Sequence, residues 1–271
     1  MPRDSLVVLI DALKIPARRT EYSPTESAVS PFHAEPAQYD MPNAKKLRVS
    51  FFLAGALLFN AAAVFAFGRI AEEILEGDTQ HFDSYLRAAI HGLATPGLTS
   101  LMQGFSFVGS VSMVVVLVLL SICWFVYFRR IRAAGLLAIT MLGAAVLEIS
   151  LKLAFHRPRP VTFVGPTPSS YSFPSGHAVD ALCFYGVLAA ILSTRMRERL
   201  AKVLIWAAAV FLTAMIGFSR IYLGVHYPSD VVGGYFAAAI WVSTVAFIDK
   251  MFTDGEWAKG CSRPNLSAEG G

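Results

Sequence analysis

The chain has few charged residues and few cysteines, and both shortages limit what it can be. Only 15% of its 271 residues are Asp, Glu, Lys or Arg, whereas 55% are hydrophobic. A soluble domain of this length needs far more polar surface, so this balance indicates an integral membrane protein. The cysteines Cys123, Cys183 and Cys261 form no CxxC pair. We therefore expect neither a disulfide framework nor a zinc site.

Two further features are missing from the sequence, a secretory signal peptide and a nucleic-acid-binding stripe. The apolar patch Leu6 to Ile10 is too short for a signal peptide, and Asp11 follows it. The net charge is +4, but the basic residues form no stripe interleaved with aromatic residues. Excess cations of this kind are typical of cytoplasmic loops and of contacts with anionic lipid. We therefore expect membrane lipids as partners and no nucleic acid.

Six apolar runs have the composition of membrane-spanning helices. About 20 apolar residues are needed to cross ~30 Å of hydrocarbon. The last three runs are near the short end of that range, and their polar flanks are expected to complete the helices. We therefore predict an all-α integral membrane protein with six transmembrane helices in one bundle. The runs are residues 49–68, 106–128, 133–155, 178–194, 203–218 and 231–248.

The distribution of charge along the chain predicts its orientation. Most of the 23 Lys and Arg residues fall before the first run, after the second, after the fourth and after the last. The first outer connection instead carries Glu72, Glu73, Glu76, Asp78 and Asp83. Basic segments stay in the cytoplasm. We therefore expect a multi-pass protein of the plasma (inner) membrane with both termini in the cytoplasm.

The predicted domain organisation is one membrane domain between two tails. Residues 1–44 are expected to form a disordered cytoplasmic tail, because residues 23–42 are rich in Pro, Ser, Ala and Glu. Residues 45–250 form the six-span domain, and residues 251–271 form a polar cytoplasmic tail. No internal repeat and no second domain is evident.

The first outer connection, residues 69–105, has the pattern of an amphipathic helix. Apolar side chains recur at helical spacing, and polar ones fall on other faces. The apolar set is Phe82, Leu86, Ala89 and Leu93, and the polar set is Asp83, Arg87 and His91. We predict a helix lying at the outer surface and broken at Pro96 and Gly97. Two roles stay open for it, a cap on the bundle and a lining of the route by which a lipid enters.

Three short stretches, residues 152–160, 174–177 and 219–230, hold the charged and nucleophilic residues of the second half. Each lies beside the end of a predicted span. Lys152 ends the third span, residues 175–177 open the fourth, Arg220 lies near the end of the fifth, and Asp230 starts the sixth. Because the spans alternate in direction, these ends meet at one face of the membrane. The orientation above makes that face the periplasmic or extracellular one.

These residue types suit the binding of a phosphoryl group. Arg159 and Arg220 present planar forks to phosphate oxygens, and Lys152 adds a point charge. The PSGH stretch at a helix start offers backbone N–H groups and the positive end of the helix dipole. Gly176 lets the backbone come close to an anion, and the Ser175 hydroxyl can donate a hydrogen bond.

The same stretches contain the parts for attack by a histidine. His226 and Asp230 are four residues apart, so one helical turn brings the carboxylate to the imidazole. A carboxylate on one ring nitrogen leaves the other free as a nucleophile. His177 would protonate the leaving oxygen and later activate water. Because three cations and a helix end supply the charge, we expect no metal and no other cofactor.

The three stretches together resemble the type 2 phosphatidic acid phosphatase superfamily, which includes vanadium haloperoxidases and bacterial acid phosphatases. The pattern of that family is KxxxxxxRP, PSGH and SRxxxxxHxxxD, and every specified position matches from Lys152 to Asp230. The resemblance implies the helical core of the acid phosphatases and haloperoxidases, in a membrane lipid-phosphatase branch. It also implies that His226 is the nucleophile, Asp230 its partner and His177 the general acid. The other matched residues, Lys152, Arg159, Ser175, Gly176 and Arg220, would bind phosphate.

The expected function is therefore metal-independent hydrolysis of a lipid phosphate at the outer face through a phosphohistidine. Candidate substrates are polyprenyl diphosphate, phosphatidic acid and phosphatidylglycerol phosphate. A phosphotransferase would use the same site with another acceptor, so this alternative stays open. A haloperoxidase, a transporter and a lipid-binding protein without turnover are disfavoured. The sequence leaves open which lipid is bound and what the oligomeric state is.

Four further polar residues near these stretches have more than one interpretation. Glu148 lies one turn before Lys152 and either orients its ammonium group or forms a simple intrahelical pair. Asp180 lies inside a span, where we favour a supporting hydrogen bond over a catalytic role. His156 and Arg157 adjoin the first stretch and are candidates for contact with a second phosphate.

Overall fold

The computed structural model describes residues 43–261, and this part of the chain is helical without strands, as predicted. Residues 1–42 and 262–271, which belong to the two predicted tails, lie outside the described residues. The described helices are α1 (Asn43–Glu76), α2 (Thr79–His91), α3 (Pro96–Val108), α4 (Val111–Tyr127), α5 (Ile131–Phe155), α6 (Gly176–Ser193), α7 (Arg199–Tyr222) and α8 (Pro228–Cys261).

Five single helices in the described part of the chain have the length and composition of membrane spans, and a bent pair of helices brings the number to the predicted six when it is counted as one span. Within the described residues, α1, α5, α6, α7 and α8 each contain a stretch long and apolar enough to cross a membrane. Helices α3 and α4 meet at an angle of 48° and are long and apolar enough only when taken together. The apolar run that starts at residue 106 therefore covers only the end of α3 and all of α4.

The bend between α3 and α4 has a local cause. The Ser110 side chain accepts a hydrogen bond from the backbone N–H of Met113 at 3.4 Å and so caps the start of α4. Gly109 lies directly against Ile216 of α7, and a side chain at this position would collide with it. The chain therefore turns where α3 approaches α7 closely.

Helix α6 forms the centre of the bundle and packs against α4, α5, α7 and α8. Its inward side chains are small, and Ala178, Val179, Ala181 and Cys183 are fully buried. Small side chains let neighbouring helices approach closely, which is how helices associate inside a membrane. This packing places the N-terminus of α6 between the ends of its neighbours.

Helix α2 confirms the predicted amphipathic helix, but its polar face is the buried one. Asp83 is 0% exposed, whereas Phe82 and Tyr85 are 65% and 75% exposed. The predicted break at Pro96 is in fact the start of α3, where proline occupies the first turn and the Thr95 side chain caps the helix. Exposed aromatic residues opposite a polar face are typical of a helix at a membrane surface.

Candidate active site

The predicted site residues converge at the shared end of four helices. Lys152 lies in the last turn of α5, Gly176 and His177 begin α6, and Arg220 lies in the last turn of α7. Asp230 lies in the first turn of α8. The long connection of residues 156–175 adds Arg159, and the turn between α7 and α8 adds His226.

His226 and Asp230 form a buried pair, as their spacing predicts. His226 Nδ1 lies 3.4 Å from Asp230 Oδ2, and the two side chains are 2% and 0% exposed. Asp230 is the third residue of α8, and its Oδ2 accepts the backbone N–H of Tyr227 at 2.9 Å. This contact caps the helix and holds the carboxylate beside the imidazole.

A third residue, Ser172, completes this pair and was not predicted. Its Oγ donates to Asp230 Oδ2 at 2.5 Å and lies 3.4 Å from His226 Nδ1. It lies two residues before the PSGH stretch, where no spacing rule marks it. The Asp230 carboxylate therefore has fixed donors besides the imidazole, which restricts its rotation.

The other ring nitrogen of His226 faces a guanidinium group. Arg159 Nη1 lies 2.9 Å from His226 Nε2. Since a guanidinium can only donate, Nε2 carries a lone pair here and the proton sits on Nδ1, toward Asp230. Burial lowers the pKa of His226 to about 4, although Asp230 opposes this shift. The imidazole is therefore neutral at physiological pH, with Nε2 available as a nucleophile.

Arg159 is held in place by backbone and side-chain acceptors. Its Nε donates to the Ser170 carbonyl at 2.7 Å and its Nη2 to the Ser170 hydroxyl at 2.9 Å. Its Nη1 also donates to the Val225 carbonyl at 3.0 Å. Arg159 thus joins the 156–175 connection to the turn that carries His226. Its charge stays next to Nε2, where a phosphate oxygen would lie.

Two buried donors near this point have no acceptor. Arg220 Nε and Ser175 Oγ are buried without a hydrogen-bond partner among the described residues. Arg220 Nη1 is positioned by a hydrogen bond to the Ser106 hydroxyl of α3. Leaving a buried donor unpaired costs free energy, which an anionic ligand would recover. The site is therefore suited to an oxyanion.

The start of α6 adds backbone donors to this anion site. Ser175, its N-cap residue, makes no side-chain cap hydrogen bond, and the N–H groups of Gly176 and His177 have no partner among the described residues. A Cβ at Gly176 would meet the carboxylate of Glu148, which would have to move to admit it. Glu148 in turn accepts from Lys152 Nζ at 2.5 Å. Glu148 thus links the Lys152 ammonium group to the α6 N-terminus.

His177 lies at the same helix start, half-buried. Its ring lies near the backbone of Ser106 and within electrostatic range of Arg220 and His226. The ring is also near Gly109, at the bend between α3 and α4. The bend therefore brings Ser106 to the site, where it supports both His177 and Arg220.

The structure assigns definite surroundings to the remaining polar residues. Arg157 is 10% exposed and forms ion pairs with two carboxylates, Asp83 and Asp230. It is therefore not available for a second phosphate. His156 is exposed, and its ring centroid lies 4.6 Å from that of Tyr171 in an edge-on arrangement. Asp180 makes no hydrogen bond within the described part of the chain and lines an apolar cavity of about 470 Å³ between α4 and α5. The supporting hydrogen bond predicted for Asp180 is absent there.

Comparison with known proteins gives a consistent picture. The family model described as PAP2 superfamily matches residues 132–252. The chain is 31% identical over 181 residues to phosphatidylglycerophosphatase B of Bacillus subtilis, covering 66% of this chain and 89% of the relative. It is 32% identical over 123 residues to undecaprenyl-diphosphatase of Sulfolobus acidocaldarius, covering 43% and 55%.

A solved structure extends the similarity to three dimensions. The crystal structure of a transmembrane PAP2-type phosphatidylglycerolphosphate phosphatase from Bacillus subtilis superposes with a TM-score of 0.66 at 27% identity. The superposition covers 71% of this chain and 96% of the other. The helical bundle that positions the site is therefore shared with a known membrane enzyme.

Proposed function

The chain belongs to the PAP2 superfamily, and from this we propose that it hydrolyses the phosphate of a phosphorylated membrane lipid. The names of two relatives refer to phosphatidylglycerol phosphate and undecaprenyl diphosphate. These two substrates and phosphatidic acid share an apolar tail and a phosphoryl headgroup. The apolar helices suit the tail, and the cluster of cations at their shared end suits the headgroup.

The proposed reaction begins with attack by His226. Its Nε2 lone pair forms a bond to phosphorus, and the bond between phosphorus and the lipid oxygen breaks. Asp230 accepts the Nδ1 proton in a hydrogen bond and stabilises the positive charge that develops on the ring. The observation that carries this proposal is the orientation of His226, with Nδ1 toward Asp230 and Nε2 beside Arg159.

His177 is the proposed acid for this first step. It gives a proton to the departing lipid oxygen, so a lipid alcohol or a lipid monophosphate leaves. In the second step the neutral His177 removes a proton from water, which attacks the phosphohistidine. The bond between phosphorus and Nε2 then breaks, inorganic phosphate leaves, and both histidines return to their starting states.

The fixed donors are proposed to stabilise the charge of the transferring group. Its three equatorial oxygens would meet Arg159, Arg220, the Ser175 hydroxyl and the first N–H groups of α6. Lys152 adds a positive charge at the rim. Donors that are already in position need not reorganise during the reaction. This preorganisation is the main source of electrostatic catalysis.

The site is proposed to open to the periplasmic or extracellular side of the plasma (inner) membrane. This orientation is supported by the basic residues of the alternate connections, which are typical of cytoplasmic segments. Both termini would then be cytoplasmic. The exposed aromatic residues of α2 would lie in the outer leaflet, beside the headgroups of the substrates.

The proposal is tested by assaying the purified protein in detergent, with chelator present, against a panel of phosphorylated lipids. The panel contains polyprenyl diphosphate, phosphatidic acid and phosphatidylglycerol phosphate. We expect release of inorganic phosphate from at least one lipid. His226→Ala should lower kcat/KM about a thousandfold or more, since it removes the nucleophile. Rapid quenching with labelled substrate should trap phosphate on His226.

His156→Ala is the matched control, because it removes an exposed imidazole from the adjoining connection. It should keep wild-type turnover. Undiminished hydrolysis by His226→Ala would disprove the assigned nucleophile. Transfer of label to an added alcohol in preference to water would show a phosphotransferase instead.

A further inference from the structure

Arg157 lies between two buried carboxylates that come from distant parts of the chain. Its Nη1 donates to Asp230 Oδ1 at 2.6 Å, and its Nη2 donates to Asp83 Oδ2 at 2.8 Å. The guanidinium also lies over the Tyr227 ring, with its central carbon 4.4 Å from the ring centroid. Arg157 therefore holds the oxygen of Asp230 that does not face His226.

Asp83 anchors this arrangement from α2. Its Oδ1 accepts the backbone N–H of Ser229 at 3.0 Å, and its Oδ2 accepts the Ser229 hydroxyl at 2.5 Å. Ser229 directly precedes Asp230, and its hydroxyl lies 2.8 Å from Arg157 Nη1. One carboxylate of α2 thus contacts both the residue next to Asp230 and the cation that holds Asp230.

The burial of these charges makes their balance important. Asp83 and Asp230 are both 0% exposed, and Arg157 is 10% exposed. Removing one member of a buried ion pair leaves an uncompensated charge, which costs far more than the loss of an exposed pair. Two carboxylates here share one guanidinium, so a change at Asp83 alters how strongly Arg157 acts on Asp230.

We propose that Asp83 is a positioning residue for the reaction, acting through Arg157 on the carboxylate that orients His226. This rests on the proposed function, because it assigns His226 as the nucleophile. Asp83 lies outside residues 132–252, the part of the chain that the family model matches. The surface helix α2 therefore takes part in setting the geometry of the site as well as covering it.

A role limited to fastening α2 would predict different behaviour from a role in positioning. If Asp83 and Arg157 only hold the helix, each added mutation should loosen it further. If they balance charge at Asp230, Arg157→Gln should be the most harmful, because Asp83 and Asp230 then repel each other without a cation. Adding Asp83→Asn to that variant should remove the repulsion and restore part of the activity.

The pH dependence separates the two roles as well. Four charged or titratable groups act on His226. They are Asp230 of α8, Arg159 of the 156–175 connection, Arg220 of α7 and His177 of α6. Arg157 contacts Asp230 at Oδ1, the oxygen that does not face His226. Loss of its positive charge favours the protonated imidazole, so the acid limb of kcat/KM should move to higher pH. Loss of Asp83 removes a negative charge and should not move the limb upward.

The experiment is a double-mutant cycle of Asp83→Asn and Arg157→Gln, with kcat and KM measured across pH. We expect Asp83→Asn to lower kcat by about tenfold to a hundredfold with little change in KM, the range ordinary for groups that orient another group. Arg157→Gln should lose more and shift the acid limb upward by about one pH unit. The double variant should exceed Arg157→Gln in kcat.

Asp78→Asn is the matched control, since it makes the same change at an exposed carboxylate just before α2. It should keep wild-type kinetics. A double variant that is additive or worse, with an unmoved acid limb, would overturn the proposal. If Arg157→Gln does not fold, Arg157→Lys keeps the charge without the fork. It should then lower kcat while leaving the acid limb in place, and unchanged kcat in that variant would equally overturn it.

A second measurement distinguishes this proposal from the proposed function. The protein has six histidines, so histidine-labelled enzyme gives few nitrogen resonances, and His226→Gln assigns the one of interest. The pKa of His226 obtained by titrating these resonances should rise in Arg157→Gln and should not rise in Asp83→Asn, whether or not a lipid is hydrolysed. A wild-type protein without phosphatase activity would contradict the function. An unmoved His226 titration would contradict the positioning role.

Discussion

The two ends of the helical bundle hold their ion pairs in different ways. At the site end, Arg157 joins Asp83 and Asp230, and these side chains are 10%, 0% and 0% exposed, respectively. At the other end of α5 and α8, Arg132 pairs with Asp249 at 2.6 Å, with side chains that are 59% and 27% exposed. The ion pairs at both ends have short N–O distances, but water screens only the pair of Arg132 and Asp249. Because of this difference in burial, we expect the site end to be more sensitive to single substitutions.

The burial of the ion pairs at the site end opposes folding but favours the binding of an anion. Burying charged groups opposes folding unless each is paired and hydrogen-bonded, so the site end depends on every partner. The same low-polarity surroundings strengthen each interaction with a bound anion. An exposed pair such as Arg132 and Asp249 does not have this cost, and its contribution to either stability or binding is small.

Among changes to the charged side chains at the two ends, the largest effect is expected from breaking the anion site at Arg220. Arg220→Lys keeps the positive charge but removes the planar fork and the unpaired Nε donor. We expect kcat/KM to fall about a hundredfold to a thousandfold, as for the loss of one oxyanion donor. The measurement is the rate of phosphate release at low lipid concentration.

Arg195→Lys is the control for that variant, because Arg195 is exposed in the connection between α6 and α7. It should leave kcat/KM unchanged. Equal losses in the two variants would mean that the difference between the two ends does not depend on the fork of Arg220.

An intermediate effect is expected from pH. Burial lowers the pKa of His226 to about 4, and only the neutral imidazole can attack phosphorus. Between the ordinary histidine pKa of ~6.5 and about 4, His226 should stay neutral, so kcat/KM should begin to fall only as the pH approaches the lower value. The pH profile of kcat/KM checks this, and an acid limb near 6.5 that His177→Asn leaves in place would contradict it.

Much of this site could be predicted from sequence because its residues follow fixed spacings. Lys152 and Arg159, the PSGH stretch, and His226 with Asp230 each lie within a few residues of one another, and the alternating direction of the spans brings these three stretches to the same end of the bundle. Ser172, Asp83 and the role of Arg157 were not predicted. Asp83 and Arg157 are 74 positions apart, and a contact over that separation depends on how the helices pack.

The orientation of α2 shows a second limit of sequence interpretation. Periodicity separates the faces of a helix but does not say which face meets the protein. In water the apolar face is buried, whereas at a membrane the lipid accepts apolar side chains, so the polar face can turn inward. The 65% exposure of Phe82 and the 0% exposure of Asp83 reflect this reversal. The bend at Gly109 could not be predicted from hydropathy either, because the apolar run continues across it.

The smallest effect is expected at the end away from the site. Asp249→Asn removes the carboxylate that accepts from Arg132 Nε at 3.0 Å and from Arg132 Nη2 at 2.6 Å. Because both side chains contact solvent, the loss should be below about 1 kcal/mol in unfolding free energy, with kcat/KM unchanged. Thermal unfolding in detergent, compared with Asp83→Asn under the same conditions, measures the contrast directly. The same carboxylate-to-amide change should lower Tm much more at Asp83, because only there does it unbalance buried charges. Equal shifts in Tm would mean that burial does not distinguish the two ends.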